Sequence, residues 1–111
     1  MLSIKYRLKK QRDIKDLFLQ KKAVFGRYFI VNYKENKLNY PRFAFILSKK
    51  NIKKAVDRNY FKRVLRHIVY QNLDKITAGV DVAIVVKPSV IQAEFCQLEE
   101  EIEQLFKKIR L

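Results

Sequence analysis

The side chains best suited to chemistry in this chain are cations that crowd into residues 48–66. This stretch holds eight Lys or Arg residues against one acid, Asp57. Ammonium groups bind phosphates as point charges and guanidinium groups bind them as planar forks, so the predicted chemistry is the binding of a polyanion. Solubility requires only a few surface charges of mixed sign. The excess of positive charge in this stretch therefore favours a surface that binds RNA or DNA. The cations are Lys49, Lys50, Lys53, Lys54, Arg58, Lys62, Arg63 and Arg66.

Groups for catalysis by the protein itself are not visible in the sequence. A nucleophile with a base, paired carboxylates in a cleft or clustered metal ligands would be needed. We interpret His67, the one histidine, as a surface or interface residue, and Cys96 as a small apolar filler of the last helix. The glutamates of residues 99–103 should form a solvated face, because adjacent positions on a helix do not converge. We therefore expect no catalytic residue and no metal site.

The charge distribution locates the polyanion surface within the chain. The formal net charge is +14 over 111 residues, and residues 1–66 contain 20 of the 25 basic groups but 4 of the 11 acids. This length predicts one domain, residues 1–111. A single cysteine excludes an internal disulfide, and no run approaches the roughly 20 apolar residues of a membrane span. We expect a cytoplasmic protein without membrane contact.

The periodicity of apolar residues predicts the elements that carry these cations. Residues 10–20 should form a short amphipathic helix, residues 25–34 a strand, residues 35–41 a hairpin-like connection and residues 42–48 a second strand. The strand over 25–34 should place one set of alternate residues on one face and the other set on the opposite face. The first set is Phe29, Val31 and Tyr33, and the second is Tyr28, Ile30 and Asn32.

The second half of the chain should contain two helices and a buried strand. The central helix is predicted over Ala55–Gln71, the strand over residues 81–87 and the last helix over residues 93–109. At 100° per residue, the central helix has a buried arc beside a cationic arc. The buried arc is Phe61, Val64, Leu65 and Ile68, and the cationic arc is Arg58, Asn59, Lys62, Arg63 and Arg66. Together these elements predict an α/β sandwich.

Residues 55–66, AVDRNYFKRVLR, resemble the signature helix of the protein subunit of bacterial ribonuclease P. That family reads Arg-Asn-Arg-x-Lys-Arg-x-x-Arg, and five positions match it in order and spacing. The resemblance extends over nearly the whole chain. Two positions depart from the family: Tyr60 stands where a second arginine is usual, and Ile14 where some relatives look aromatic. The matching residues are Arg58, Asn59, Lys62, Arg63 and Arg66.

The resemblance implies a fold and an activity. The fold would be an α+β two-layer sandwich, in which a small mixed sheet has the central basic helix as a left-handed β-α-β crossover and a further helix at each end. The protein would be one subunit of an endoribonuclease, paired one to one with a catalytic RNA. The holoenzyme removes the 5′ leader of precursor tRNA. Hydrolysis would belong to the RNA and its Mg²⁺, with no cofactor bound by the protein alone.

We hypothesise two RNA surfaces, because the basic helix and the aromatic strand are separate. All eight cations of residues 48–66, with Asn59, would bind the catalytic RNA. A groove would hold the single-stranded leader by backbone contacts and stacking. The alternatives are a basic structural protein of the ribosomal type and, less favoured, a nuclease that cleaves alone. The groove residues would be Ile14, Phe18, Arg27, Tyr28 and Asn32.

Overall fold

The computed structural model describes residues 4–76 and 79–109 of the chain. One helix is followed by three strands, a second helix, a fourth strand and a last helix, and short 3₁₀ turns lie between some of these elements. The elements are α1 (Gln11–Leu19), β1 (Ala23–Phe25), β2 (Phe29–Glu35), β3 (Arg42–Ile46), α2 (Ala55–Gln71), β4 (Val80–Val86) and α3 (Phe95–Lys108). The predicted bounds of the central helix are confirmed, and those of the other two helices differ from the predicted ones by one or two residues at each end, where helices fray.

The four strands form one mixed sheet in the order β1-β2-β4-β3. β1 and β2 are antiparallel, β2 and β4 are antiparallel, and β3 and β4 are parallel. Parallel neighbours cannot be joined by a tight turn, and α2 supplies the crossover between β3 and β4. The predicted α+β class with a small mixed sheet is confirmed.

Two predictions about the strands are wrong. The single strand expected over residues 25–34 is two antiparallel strands, because the chain turns between Phe25 and Phe29 and the Gly26 amide donates to the Phe29 carbonyl at 2.8 Å. The connection over residues 35–41 does not form a hairpin, since β4 lies between β2 and β3. The first error comes from a local turn at Gly26, and the second comes from a strand, β4, that lies far away in the sequence.

One face of the sheet forms the main core with α2 and α3. Phe29, Val31, Phe43, Val82, Ile84 and Val86 point to this face and are at most 1% exposed. The predicted buried arc of α2 packs on them, as do Leu98, Ile102 and Leu105 of α3. Burying each large apolar side chain contributes about 1.5–3 kcal/mol, so this core fixes the orientation of α2 and of its opposite, cationic side.

The opposite face of the sheet carries α1. Leu17 of α1 is fully buried and forms a small cluster with Leu8, Ala44 and Ala83. Ala44 and Ala83 are neighbours on β3 and β4, and their short side chains let the helix approach the sheet closely. The α1 helix therefore covers one part of this face.

Two predictions about α3 are also wrong. Cys96 is exposed in the first turn of the helix rather than buried as an apolar filler. Glu101 does not belong to a solvated face, because its partly buried carboxylate accepts backbone hydrogen bonds from residues 27–29. His67 is exposed as expected, with its ring centroid 6.1 Å from that of Phe95.

Candidate nucleic-acid interface

The outer side of α2 presents the predicted cationic stripe. Asn59 and Arg63 are exposed, and Lys62 and Arg66 are partly exposed. With Val56 they line an open cleft of about 490 Å³. Residues three and four apart lie one above another on a helix, so the stripe forms a continuous row of donors for phosphate oxygens. The structure brings these four predicted residues together.

Arg58 plays a different part from the rest of the stripe. Its Nη1 donates to the carbonyl of Ile52 at 2.8 Å and to the carbonyl of Lys53 at 2.9 Å. Ile52 is fully buried, so this guanidinium ties the connection before α2 to the start of the helix. The Arg58 side chain therefore adds a positive charge and also holds in place the loop that carries the neighbouring lysines.

The connection between β3 and α2 carries the other predicted cations, Lys49, Lys50, Lys53 and Lys54, all of them exposed. Two further bonds hold the loop: the Ile52 amide donates to the Ser48 carbonyl at 2.9 Å, and Asn51 Nδ2 donates to the Val86 carbonyl at 3.2 Å. The lysines therefore lie on an anchored loop at the end of the sheet where β3 and β4 finish.

An N-terminal segment that was not among the predicted RNA-binding residues adds to this surface. Arg7 bridges to Phe43 of β3, and the Leu8 amide donates to the Phe43 carbonyl at 2.7 Å. A cavity of about 270 Å³ lies beside this contact, and its lining includes Arg7, Lys9, Ile14, Lys62 and Arg66. The cavity connects the stripe of α2 with α1. Its contribution to the RNA-binding surface was not predicted, because its place depends on pairing with an edge strand.

A second surface lies on the α1 face of the sheet. Phe25, Ile30, Val85 and Ile46 are register partners in one row across the sheet. Phe25 is 68% exposed, and the other three are half-buried. Phe18 belongs to α1, the helix that packs on this face of the sheet, and its side chain is 39% exposed. We call the row of four residues together with Phe18 the groove.

The structure assembles three of the five predicted groove residues. Ile14 and Phe18 belong to α1, and Asn32 lies on the same face as Ile30, in register with Ala83. Tyr28 is 7% exposed and packs in the main core, so the prediction that it shares a face with Asn32 is wrong. The turn before β2 interrupts the alternation that the prediction assumed. Arg27 lies in that turn, with its guanidinium carbon 5.5 Å from the centre of the Tyr28 ring.

A buried ion pair next to α1 also escaped the sequence analysis. Arg42 donates from Nε to Asp81 Oδ1 at 2.9 Å and from Nη2 to Asp81 Oδ2 at 2.8 Å. Asn36 Nδ2 donates to the same Oδ1 at 2.7 Å, and Asp13 of α1 lies 3.8 Å from Arg42 Nη1. Hydrogen bonding to the Asp81 carboxylate is the main reason that the pKa of Arg42 is raised. The network attaches α1 to the sheet.

Residues 4–76 and 79–109 bring together no group of three or more His, Cys, Asp or Glu side chains that could hold a metal ion. None of the helices in those ranges has the length and apolar character needed to cross a bilayer.

Comparisons with known proteins agree with this geometry. The family model described as Ribonuclease P matches residues 2–110. The ribonuclease P protein component of Syntrophomonas wolfei is 34% identical over 111 residues, covering 100% of this chain and 92% of the relative. That of Fusobacterium nucleatum is 32% identical, covering 94% of this chain and 96% of the relative.

Solved structures show the same fold. The RNase P protein from Thermotoga maritima superposes with a TM-score of 0.85 at 28% identity, covering 95% of this chain and 98% of that one. The RNase P protein of Staphylococcus aureus gives a TM-score of 0.84 at 27% identity, covering 92% and 93%. A match along nearly the whole length, in sequence and in fold, leads to one conclusion: the chain belongs to the ribonuclease P protein family.

Proposed function

We propose that this chain binds the catalytic RNA of ribonuclease P through the cationic side of α2 and the 5′ leader of precursor tRNA through the groove. Its family makes it the protein component of an endoribonuclease holoenzyme that acts in tRNA processing. One observation carries the proposal: the cavity lined by Ile14, Lys62 and Arg66 joins the two surfaces. An RNA strand could therefore pass from one to the other.

The cationic side would bind the catalytic RNA mainly through its phosphates. Lys62, Arg63 and Arg66 project from a helix whose other side is fixed in the core, so they are held in a row before the RNA arrives. The lysines of the anchored loop extend the row, and each phosphate contact releases counterions. Binding of this kind should weaken steeply with salt.

The groove would bind the leader by stacking. An unpaired base can stack on an exposed aromatic ring, and such a contact contributes about 1–3 kcal/mol for any base. Phe18 supplies the ring, and the amide of Asn32, which is 9% exposed, supplies a donor and an acceptor at the floor. Contacts to the leader would favour precursor over mature tRNA.

The described side chains fit a binding role in the reaction. Cations and aromatics in this arrangement can hold and orient RNA, whereas the Mg²⁺ that supports hydrolysis would be bound by the RNA subunit. We further propose that the chain acts as one domain, residues 1–111, with one protein for each RNA, in the cytoplasm.

Reconstitution tests the proposal. The purified protein and a bacterial ribonuclease P RNA are combined at low Mg²⁺, and leader removal is compared with the RNA and the protein each assayed separately. We expect cleavage in the mixture above that of the RNA, and none from the protein. No gain in the mixture would contradict the proposal and favour a structural RNA-binding protein, and cleavage by the protein without RNA would favour a nuclease.

A matched pair of variants tests the surface assignment. Lys62→Ala/Arg63→Ala and Lys107→Ala/Lys108→Ala each remove two positive charges, the first from the stripe and the second from the end of α3. The stripe variant should lose affinity for the catalytic RNA and show a shallower salt dependence, and the α3 variant should change little. Equal losses would show that total charge, rather than the stripe, controls binding.

A further inference from the structure

The turn between β1 and β2, residues 26–28, and the first residue of β2, Phe29, are held by a carboxylate from the far end of the sequence. Glu101, in the middle of α3, accepts hydrogen bonds from the amides of Arg27 at 2.7 Å, Tyr28 at 2.8 Å and Phe29 at 2.9 Å. Successive amides that converge on one point make a binding place for an anion. Here an internal carboxylate occupies it.

The carbonyl groups of the same turn are bound as well. Lys87 donates from Nζ to the Gly26 carbonyl at 2.7 Å and from its amide to the Tyr28 carbonyl at 2.9 Å. Ser89 Oγ donates to the Arg27 carbonyl at 2.8 Å, and the Gly26 amide binds the Phe29 carbonyl. Every backbone donor and acceptor of residues 26–29 therefore has a partner, which leaves this turn little freedom.

Gly26 is required by this arrangement. A Cβ atom at this position would lie 2.6 Å from both Cδ and Oε2 of Glu101. Such a contact is too short for any side chain, so the carboxylate could not stay in place. Glycine permits the backbone to approach the acid closely.

The fixed turn determines where Arg27 lies. Its side chain is exposed and stacks over Tyr28, whose ring is held in the core. Within the described residues, the Arg27 guanidinium makes no ion pair, so it is available to a phosphate. Phe25, two residues earlier, is the exposed last residue of the row that forms the groove. Arg27 and Phe25 line one open pocket with Gln97 and Glu100 of α3, so Arg27 lies at the edge of the sheet, beside the Phe25 end of that row.

We propose that Glu101 is a positioning residue for leader binding, which acts by holding Arg27 at the end of the groove for contact with a leader phosphate. The inference rests on the proposed leader function of the groove. It also accounts for an acid near an RNA surface, because three backbone amides stabilise the carboxylate and offset part of the field that would otherwise repel phosphate.

The test compares Glu101→Gln with Glu100→Gln in the reconstituted holoenzyme. Both variants remove one negative charge from α3, and Glu100 is exposed. Charge loss by itself should strengthen RNA binding, whereas a displaced turn should weaken the binding of the leader. We expect Glu101→Gln to bind precursor tRNA about tenfold more weakly, the size of one lost charge-assisted contact, with mature tRNA unaffected. Tighter or unchanged precursor binding would overturn the proposal.

A double-mutant cycle separates positioning from general destabilisation. In the Arg27→Ala background, Glu101→Gln should cause no further loss of precursor affinity, because the group it positions is gone. An undiminished loss in that background would overturn the proposal. Ser89→Ala, which removes one hydroxyl from the turn, serves as a milder second variant if Glu101→Gln fails to fold. Ser89→Ala should cause a smaller loss of precursor affinity, and this loss should also be absent in the Arg27→Ala background. A loss that persists in that background would contradict the positioning role.

The same assay distinguishes failure of this inference from failure of the groove. If Arg27→Ala binds precursor tRNA normally while Phe18→Ala loses the preference for the leader, the groove stands and the positioning role is rejected. If neither variant changes the preference for precursor over mature tRNA, the proposed function of the groove is rejected, and with it the role of Glu101.

Discussion

Arg42 and Asp81 are register partners on the parallel strands β3 and β4, and their two-point ion pair lies directly beside Asp13 of α1. Asp81 is only 3% exposed, and the positive charge of Arg42 balances its negative charge in the protein interior. The helix that carries Phe18 is thus attached to the sheet by a charge network as well as by Leu17. Stability and the shape of the groove depend on the same residues.

Removing one partner of this pair should be costly. Asp81→Asn leaves the partly buried Arg42 guanidinium without its main countercharge, and we expect the free energy of unfolding to fall by about 3 kcal/mol. Urea denaturation measures the change. The control is Glu103→Gln, which breaks an exposed pair with Lys75 and should cost less than about 1 kcal/mol. Similar small losses for both variants would contradict a stabilising role for the buried pair.

The pH dependence of this contribution has a definite sign. The pKa of Arg42 is higher in the folded protein than its ordinary value. The stabilisation is therefore fully present below the ordinary pKa of arginine and is lost only as the pH rises through the folded pKa. Between neutral and mildly alkaline pH, Arg42 stays protonated and should therefore cause no change in the free energy of unfolding with pH. Arg42→Gln and the parent protein should thus differ by a constant amount in urea titrations over that range, and a gap that narrows there would contradict this assignment.

Two arginines of the same helix should respond differently to substitution. Arg63→Ala removes an exposed cation, so it should leave stability within about 0.5 kcal/mol and reduce the slope of log K against log salt by about 1. Arg58→Ala also removes two hydrogen bonds to the loop carbonyls, and it should cost about 1–2 kcal/mol in unfolding. Urea denaturation and RNA binding at several salt concentrations give both quantities. Equal stability of the two variants would show that the Arg58 contacts contribute nothing.

The groove predicts a local contrast on α1. Phe18→Ala should reduce the preference for precursor over mature tRNA by about 1–3 kcal/mol, the contribution of one stacked base. Leu19→Ala is the matched control, because Leu19 is the next residue and is 74% exposed. Competition binding with the two tRNA forms measures the preference. An equal loss of affinity for precursor and mature tRNA would instead point to a general effect on RNA binding.

Tyr60 offers a gain-of-contact prediction. Its side chain is 47% exposed and follows Asn59 at the edge of the stripe, at the position where the resemblance implies an arginine. Tyr60→Arg should strengthen binding to the catalytic RNA and steepen the salt slope by about 1, because one more phosphate can be contacted. The variant Tyr70→Arg adds the same charge at another exposed tyrosine of α2 and should have a smaller effect. Equal gains at both positions would indicate general electrostatic attraction.

Much of α2 follows from the sequence by itself. Helix periodicity is a property of neighbours three and four residues apart, so the alternation of Phe61, Leu65 and Ile68 with cations determined both its bounds and its two sides. The excess of positive charge likewise determined the class of partner, because phosphate binding needs cations and little else. The order of residues 58–66 then pointed to one family.

Tertiary structure decided what depends on distant partners. Tyr28 left the face predicted for it because the Gly26 turn intervenes, and that turn is held by Glu101, more than 70 residues away. The insertion of β4 between β2 and β3 also brought Asp81 against Arg42. Local patterns record which side of an element is apolar, but they do not record which strands pair. The stripe could therefore be predicted from the sequence, whereas the groove and the turn at its end required the fold.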